Sequence, residues 1–265
     1  MESIASRHNP IVKTFRALVR GREDTLLLEG VTLVQEALSA GVRVSAVAFS
    51  SRLLTEPDAD TGRLLALLAK TDARLLSVSP TVMGAISPVR TPSGVVGIAD
   101  RKNLPLDRVF AGTPPLVLIL AGVQDPGNVG AVVRAADAAG ATGVVACEQT
   151  ADPFGWKALR GAMGSTFRFP VAARQPVGLA VATARLHGLR VLATTPRVGR
   201  PMHDVDFTGP TAILLGGEGS GLEPDVEQLA DDRVSIPMRA PVESLNVAVS
   251  AALVVYEAYR QRHGH

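Results

Sequence analysis

The chain has 265 residues, 46% hydrophobic and 20% charged, a balance that suits one large or two modest globular domains and excludes disorder or a fibrous repeat. A single cysteine, Cys147, cannot close an internal disulfide or supply a CxxC pair, so a disulfide scaffold and a thiolate metal site are excluded. Net charge is only +2, yet Arg7, Lys13, Arg16, Arg20 and Arg22 crowd the first stretch, with only Glu2 against them before Glu23.

Arginine on one face is what phosphate binding needs, because its planar donors suit phosphate oxygens. A solvated helix face is the structural alternative. The opening MESIASRHNP lacks a signal peptide's apolar core, and no apolar run approaches the roughly 20 residues of a bilayer span, so a cytoplasmic protein without membrane association is expected. The five histidines, His8, His187, His203, His263 and His265, are scattered without metal-ligand spacing, and no metal is expected.

In chain order, apolar periodicity predicts a helix over 10–19, a strand over 26–28, a helix over 31–38, a strand over 44–49, a helix over 63–69, and strands over 75–78 and 95–98. That order implies a small α/β sandwich. Residues 100–115, DRKNLPLDRVFAGTPP, carry prolines and charges with little periodicity and are predicted to be a linker. From Leu116 the alternation restarts: LVLILAG, a glycine turn, a helix over 131–139, and the strand TGVVA. A helix around 181–186 follows, then the strands LRVLATT, TAILLGG and VSIPM, and a closing helix over 246–262. Near-continuous apolar strands between helices indicate a mostly parallel sheet covered on both faces. The predicted organisation is 1–99, a linker over 100–115, and a second domain over 116–265.

Three glycine-rich or polar turns, each following an apolar strand, carry the chemistry. In DPGNVGAVVRAADAAGATG, Gly127 and Gly130 permit a tight turn and Asn128 could cap a helix, but Arg134 in a small, apolar helix has no structural explanation. In LLGGEGSGL, four glycines within six positions let backbone approach a ligand closely, and Glu218 adds one carboxylate. This is neither a Walker loop nor a GxGxxG turn. In IPMRAPVESLNVAVSAALVVYEAY, a strand end leads to Ser244, Leu245 and Asn246 at a helix start, where Ser244 could be a simple N-cap.

In this order and spacing the three segments resemble the SpoU/TrmH family of the SPOUT superfamily, S-adenosylmethionine-dependent RNA ribose 2′-O-methyltransferases. The family's N-x-G-x-x-x-R-x-A-D-A-x-G motif is matched from Asn128 through Arg134, Ala136 and Asp137 to Gly140. GGEGxGL and IPM-x(5)-SLNVAVSAA match without gaps. LLLEGVTLVQEAL and RTPSGVVGIA resemble the L30e-like substrate domain of many members. Ala162 in KALRGAMGS departs from relatives that often have serine.

The resemblance implies a C-terminal α/β SPOUT domain with a deep trefoil knot, a homodimer whose active site is shared, and a smaller L30e-like α/β domain. It implies a catalytic set of Arg134, Asn128, Glu218, Ser244 and Asn246. Arg134 would hold the adjacent phosphate and stabilise the developing alkoxide, while Glu218 would fix Arg134 or the knot loop. The implied cofactor residues are Thr194, Leu215, Gly217, Gly219, Ile236, Met238 and Leu245, and Arg7, Lys13 and Arg16 are expected to bind RNA. Large-subunit ribosomal RNA is the favoured target; transfer RNA, a base-methylating enzyme and a non-catalytic RNA-binding or ribosome-assembly protein are the alternatives. An ordinary nucleotide-dependent oxidoreductase is opposed by the absence of GxGxxG and its acidic partner.

Overall fold

The computed structural model describes all residues except Arg22, Glu23, Ser220 and His265. Arg22 of the basic stretch, Ser220 of the glycine-rich loop and the last histidine therefore lie outside the described residues. The chain divides into two compact units, Met1–Lys102 with Phe154–Arg168, and Asn103–Pro153 with Phe169–His265.

The first unit carries strands β1 (Glu2–Ile4), β2 (Thr25–Glu29), β3 (Val44–Ser50), β4 (Arg74–Val78) and β5 (Val95–Asp100) in the order β1-β4-β3-β5-β2. β4 pairs in parallel with β1 and β3, whereas β5 runs antiparallel to β3 and β2. Its helices are α1 (Pro10–Leu18), α2 (Val31–Ser39), α3 (Ser51–Thr55), α4 (Ala59–Leu68) and α5 (Pro80–Ile86). α1 begins where the Asn9 side chain accepts from the Ile11 amide and Pro10 supplies a preset φ. Val12, Phe15 and Leu18 face the core at helical spacing, which leaves Lys13 and Arg16 exposed on the other side. Behind β2, the buried Glu29 carboxylate accepts from Ser87 Oγ at 3.0 Å and from the Ser93 amide and Oγ at 3.0 and 2.9 Å, tying down the loop before β5.

Two further helices, α8 (Trp156–Ala162) and α9 (Ser165–Arg168), also belong to this unit, although the sequence pattern groups them with 116–265. Trp156 packs against the core cluster built from α1, β4 and α5, and Arg168 Nη1 donates to Glu36 Oε2 at 2.9 Å. Gly164, at φ +87°, lets the turn between α8 and α9 close on Glu36, because a Cβ there would come within 2.5 Å of that side chain. Ala162 is fully buried, so the position where relatives carry serine faces protein.

In the second unit, β6 (Leu116–Ala121), β7 (Gly143–Cys147), β8 (Val171–Gln175), β9 (Arg190–Thr195), β10 (Arg200–Pro201), β11 (Thr211–Gly216) and β12 (Asp232–Ser235) form one sheet in the order β10-β12-β9-β11-β6-β7-β8. Every pairing in it is parallel. The unit's helices are α6 (Leu106–Val109), α7 (Pro126–Ala138), α10 (Val177–Leu186), α11 (Pro224–Glu227) and α12 (Val247–His263), and α12 packs on α7 and β11. Cys147 is buried, and desolvation followed by the Glu148 charge pushes its thiol up to about 12, which makes it an inert core group at neutral pH.

Two local readings change. The stretch over 100–115 is not a free linker, since α6 lies in it and Val109 and Phe110 are buried in the second unit's core. Burial of two apolar side chains outweighs the weak local periodicity. The expected turn over 127–130 is instead the first turn of α7, because the Asp125 carboxylate, not Asn128, caps the helix by accepting from the Asn128 amide at 2.9 Å. Gly127 leaves room for that cap, since a Cβ would stand 2.9 Å from Asp125 Oδ1 and push the carboxylate aside.

Candidate active site

At the carboxyl ends of β9, β11 and β12, where ligands bind in open α/β sheets, lies a cavity of about 810 Å³. That volume is in the range for a small-molecule site, roughly 300 to 1,000 Å³. Thr194, Leu215, Gly217, Gly219, Ile236, Met238 and Leu245 all line it, together with Glu218, Ser244 and Asn246. Ile236 and Met238 reach it because β12 stops at Ser235, three residues before the expected end of the strand. Arg197, Glu227, Arg233 and Ser250 also line the wall. Ser250 falls within the SLNVAVSAA motif, whereas Arg197, Glu227 and Arg233 come from segments without a recognisable motif, so nothing in the sequence pattern marks those three.

The glycines divide into two kinds. Gly216 and Gly217 are places of backbone-to-backbone contact: a Cβ at Gly216 would stand 2.2 Å from the Gly221 carbonyl carbon, and one at Gly217 would stand 2.1 Å from the Gly122 oxygen. Gly217 is therefore required by the fold, and it lines the cavity as well. Gly219 and Gly221, at φ +92° and +71°, have no heavy atom within 4 Å of a Cβ position. This open backbone, bordered by Leu215, Ile236, Met238 and Leu245, fits a flat, partly apolar cofactor held through main-chain groups.

A polar chain runs along the cavity. Asn128 Nδ2 donates to Glu218 Oε1 at 2.6 Å, the Gln124 amide donates to Glu218 Oε2 at 3.3 Å, and Asn246 Nδ2 donates to Asn128 Oδ1 at 3.1 Å. Burial raises the Glu218 carboxyl, but hydrogen bonds from Asn128 and from the backbone amides of Glu218 and Gln124 outweigh it and hold the group below the usual range. Glu218 is thus ionised at neutral pH and fixes Asn128, not Arg134. Asn246 Oδ1 accepts from the Ala248 and Val249 amides and is the N-cap of α12, which frees Ser244 from that role. Arg134 stands exposed on α7, outside this cavity, with no hydrogen bond or ion pair among the described residues.

Arg7, Lys13 and Arg16 are exposed in the first unit, Arg7 Nε donating to the Thr81 carbonyl at 3.3 Å. Among the described residues no group of three or more His, Cys, Asp or Glu could hold a metal ion, and no helix is long and apolar enough to cross a membrane.

Residues 115–256, which contain the whole cavity and α7, match the SpoU rRNA Methylase family. The chain belongs to that family. Membership makes it an RNA methyltransferase with S-adenosylmethionine as methyl donor. Residues 9–97 match the MRM3-like substrate binding domain. The 23S rRNA (guanosine(2553)-2′-O)-methyltransferase RlmP of Bacillus subtilis is 32% identical over 260 residues, covering 97% of this chain and 98% of its own. Among solved structures, the AdoMet-bound rRNA methyltransferase of Sinorhizobium meliloti superposes with a TM-score of 0.84 at 29% identity, over 98% of this chain and 97% of its own. The SpoU methyltransferase AviRb of Streptomyces viridochromogenes, in complex with AdoMet, gives 0.86 at 28% identity, over 97% and 99%.

Proposed function

We propose that this family member methylates a ribose 2′-hydroxyl of large-subunit (23S) ribosomal RNA, working in the cytoplasm. The observation that carries the reading is the Asn246–Asn128–Glu218 chain beside an open glycine wall. The cofactor supplies a methyl group on a sulfonium, open to in-line attack. The chain's own task is to hold a ribose in line and manage its proton. Glu218, ionised and doubly hydrogen-bonded, locks the Asn128 amide, and Asn128 in turn orients Asn246 at the cavity wall. Ser244 offers a hydroxyl at the same wall. Arg134 holds the phosphate next to the target ribose and stabilises charge on its oxygen; a guanidinium keeps its proton and is no general base.

Arg134 lies outside the cavity of its own chain, which supports a site completed by a second copy. Val249, Leu253 and Tyr256 are exposed at i, i+4 and i+7 on α12, and α12 packs on the helix that carries Arg134. In the proposed homodimer, that apolar face is the interface. The segment 236–246, which leaves β12 along the cavity and returns to α12, is read as the threaded arm of a deep trefoil knot.

Mapping of ribose methylation in 23S RNA from a strain lacking the gene is expected to show one missing mark, restored by the intact gene. Retention of every mark would overturn the reading. For RNA engagement, α1 presents Lys13 and Arg16 on one exposed face, with Arg7 close by in sequence. Replacing all three by alanine is expected to lower RNA affinity at low salt and to shallow its log-log salt dependence by about 0.7 for each phosphate no longer neutralised. Point variants are preferred to deletion of the first unit, because deletion strips Trp156 of its packing partners. An unchanged salt slope would remove these residues from the RNA surface.

A further inference from the structure

We propose that the Arg197–Glu243 ion pair recognises the amino-acid end of S-adenosylmethionine, with Arg197 taking the α-carboxylate and Glu243 the α-ammonium. The inference rests on the cofactor reading of the cavity and names the residues that distinguish this cofactor from a plain nucleoside. Arg197 belongs to the wall, on the turn between β9 and β10. That turn is pinned at three points. Thr195 Oγ1 donates to the Val198 carbonyl, β10 pairs with β12, and Gly199 at φ +118° lies so close to β12 that a Cβ would stand 2.8 Å from the Arg233 carbonyl carbon. The backbone beneath Arg197 is thus fixed while its side chain remains 65% exposed.

Its partner, Glu243, immediately precedes the wall residues Ser244 and Leu245, with Arg197 Nη2 3.2 Å from Glu243 Oε1 and the glutamate side chain 81% exposed. An ion pair this open to water is screened and contributes little to stability, so exchanging each partner for a ligand charge of the same sign is inexpensive. The pair presents one cation and one anion side by side, the complement of a zwitterionic amino acid.

The other charged groups at the wall are less suited. Glu218 is committed to Asn128 and Gln124. Arg233 Nε donates to Glu227, whose side chain is only 28% exposed, and Arg233 is fixed in β12. The adjoining surface, Leu215, Ile236, Met238 and Leu245, is apolar and suits the nucleoside and thioether portions instead.

Isothermal titration of the full chain with S-adenosylhomocysteine and with 5′-methylthioadenosine, which lacks the amino-acid end, tests this. Arg197→Met is expected to weaken S-adenosylhomocysteine binding about tenfold, the low end for a hydrogen bond to a charged group, and to leave methylthioadenosine unchanged. Glu243→Gln should weaken S-adenosylhomocysteine selectively in the same way, because it leaves the α-ammonium without its anion, whereas a glutamate that only pairs with Arg197 would free the guanidinium and leave that affinity unchanged or raise it. Equal effects on both ligands, no effect of Arg197→Met on either, or unchanged or tighter S-adenosylhomocysteine binding in Glu243→Gln would overturn the proposal. Wild-type protein that binds neither ligand would instead remove the cofactor reading, and this inference with it.

Discussion

Arg134→Ala is expected to reduce methylation to background while leaving folding and cofactor affinity intact. The buried residues of α7 are Val129, Gly130, Val132, Val133 and Ala136, and Arg134 points away from them into solvent without a partner among the described residues. Truncating an exposed, unpaired side chain changes stability by no more than about 0.5 kcal/mol. Thermal melting and titration with S-adenosylhomocysteine should therefore match wild type. Arg134→Lys separates charge from shape, because lysine keeps the cation but loses the planar fork that can span a phosphate and a ribose oxygen. If that fork is needed, turnover falls by about 10² to 10³, the range for a missing oxyanion donor. Single-turnover methylation at saturating RNA and cofactor reads this step apart from binding. Near-normal rates in both variants would return Arg134 to the role of a surface arginine.

Gly217→Val is expected to destroy the cavity by breaking the contact that shapes it. A Cβ at this position would lie 2.1 Å from the Gly122 oxygen, and backbone stands on both sides, so no change of rotamer relieves the collision. Gly122 is itself held in place by donating to Thr150 Oγ1 at 3.1 Å, and Gly217 bridges to Gly221 across the loop. The ends of β6 and β11 must separate, at a cost of about 1–3 kcal/mol or more. The variant should melt several degrees lower and bind no S-adenosylhomocysteine. Gly219→Ala is the control of backbone strain alone, because φ is +92° but the space beyond is open. It should fold, with a penalty of about 1–3 kcal/mol from the unfavourable φ. A Gly217→Val protein with normal melting and affinity would show that the loop can reshape around the clash.

Arg134 stands out in the local pattern of α7, whereas the role of Gly217 follows from its packing against Gly122. The strands of the second unit were legible because buried parallel strands read as continuous apolar runs; LVLILA became β6 and GVVAC became β7. The glycine-rich loop and the cavity's Ile236, Met238 and Leu245 were legible through the family motifs, which carry order and spacing. Other features were not. The pattern offers Asn128 as a helix cap after a glycine turn, yet Asp125 and Pro126 start the helix before it. β1 has only three residues and exists through its pairing with β4, more than 70 positions away. The pairing of Glu218 with Asn128 spans 90 residues, and that of Asn246 with Asn128 spans 118.

The apolar strands, the motif residues and, through their spacing, the family are readable from local pattern. Long-range packing sets that Glu218 grips Asn128 instead of Arg134, that Gly217 answers to the Gly122 oxygen, and that Arg197 in the cavity wall pairs with Glu243. The reason is range: local propensity acts over a few residues, whereas partners about 46 to 118 positions apart meet only after the strand order β9-β11-β6 has placed their loops at one end of the sheet.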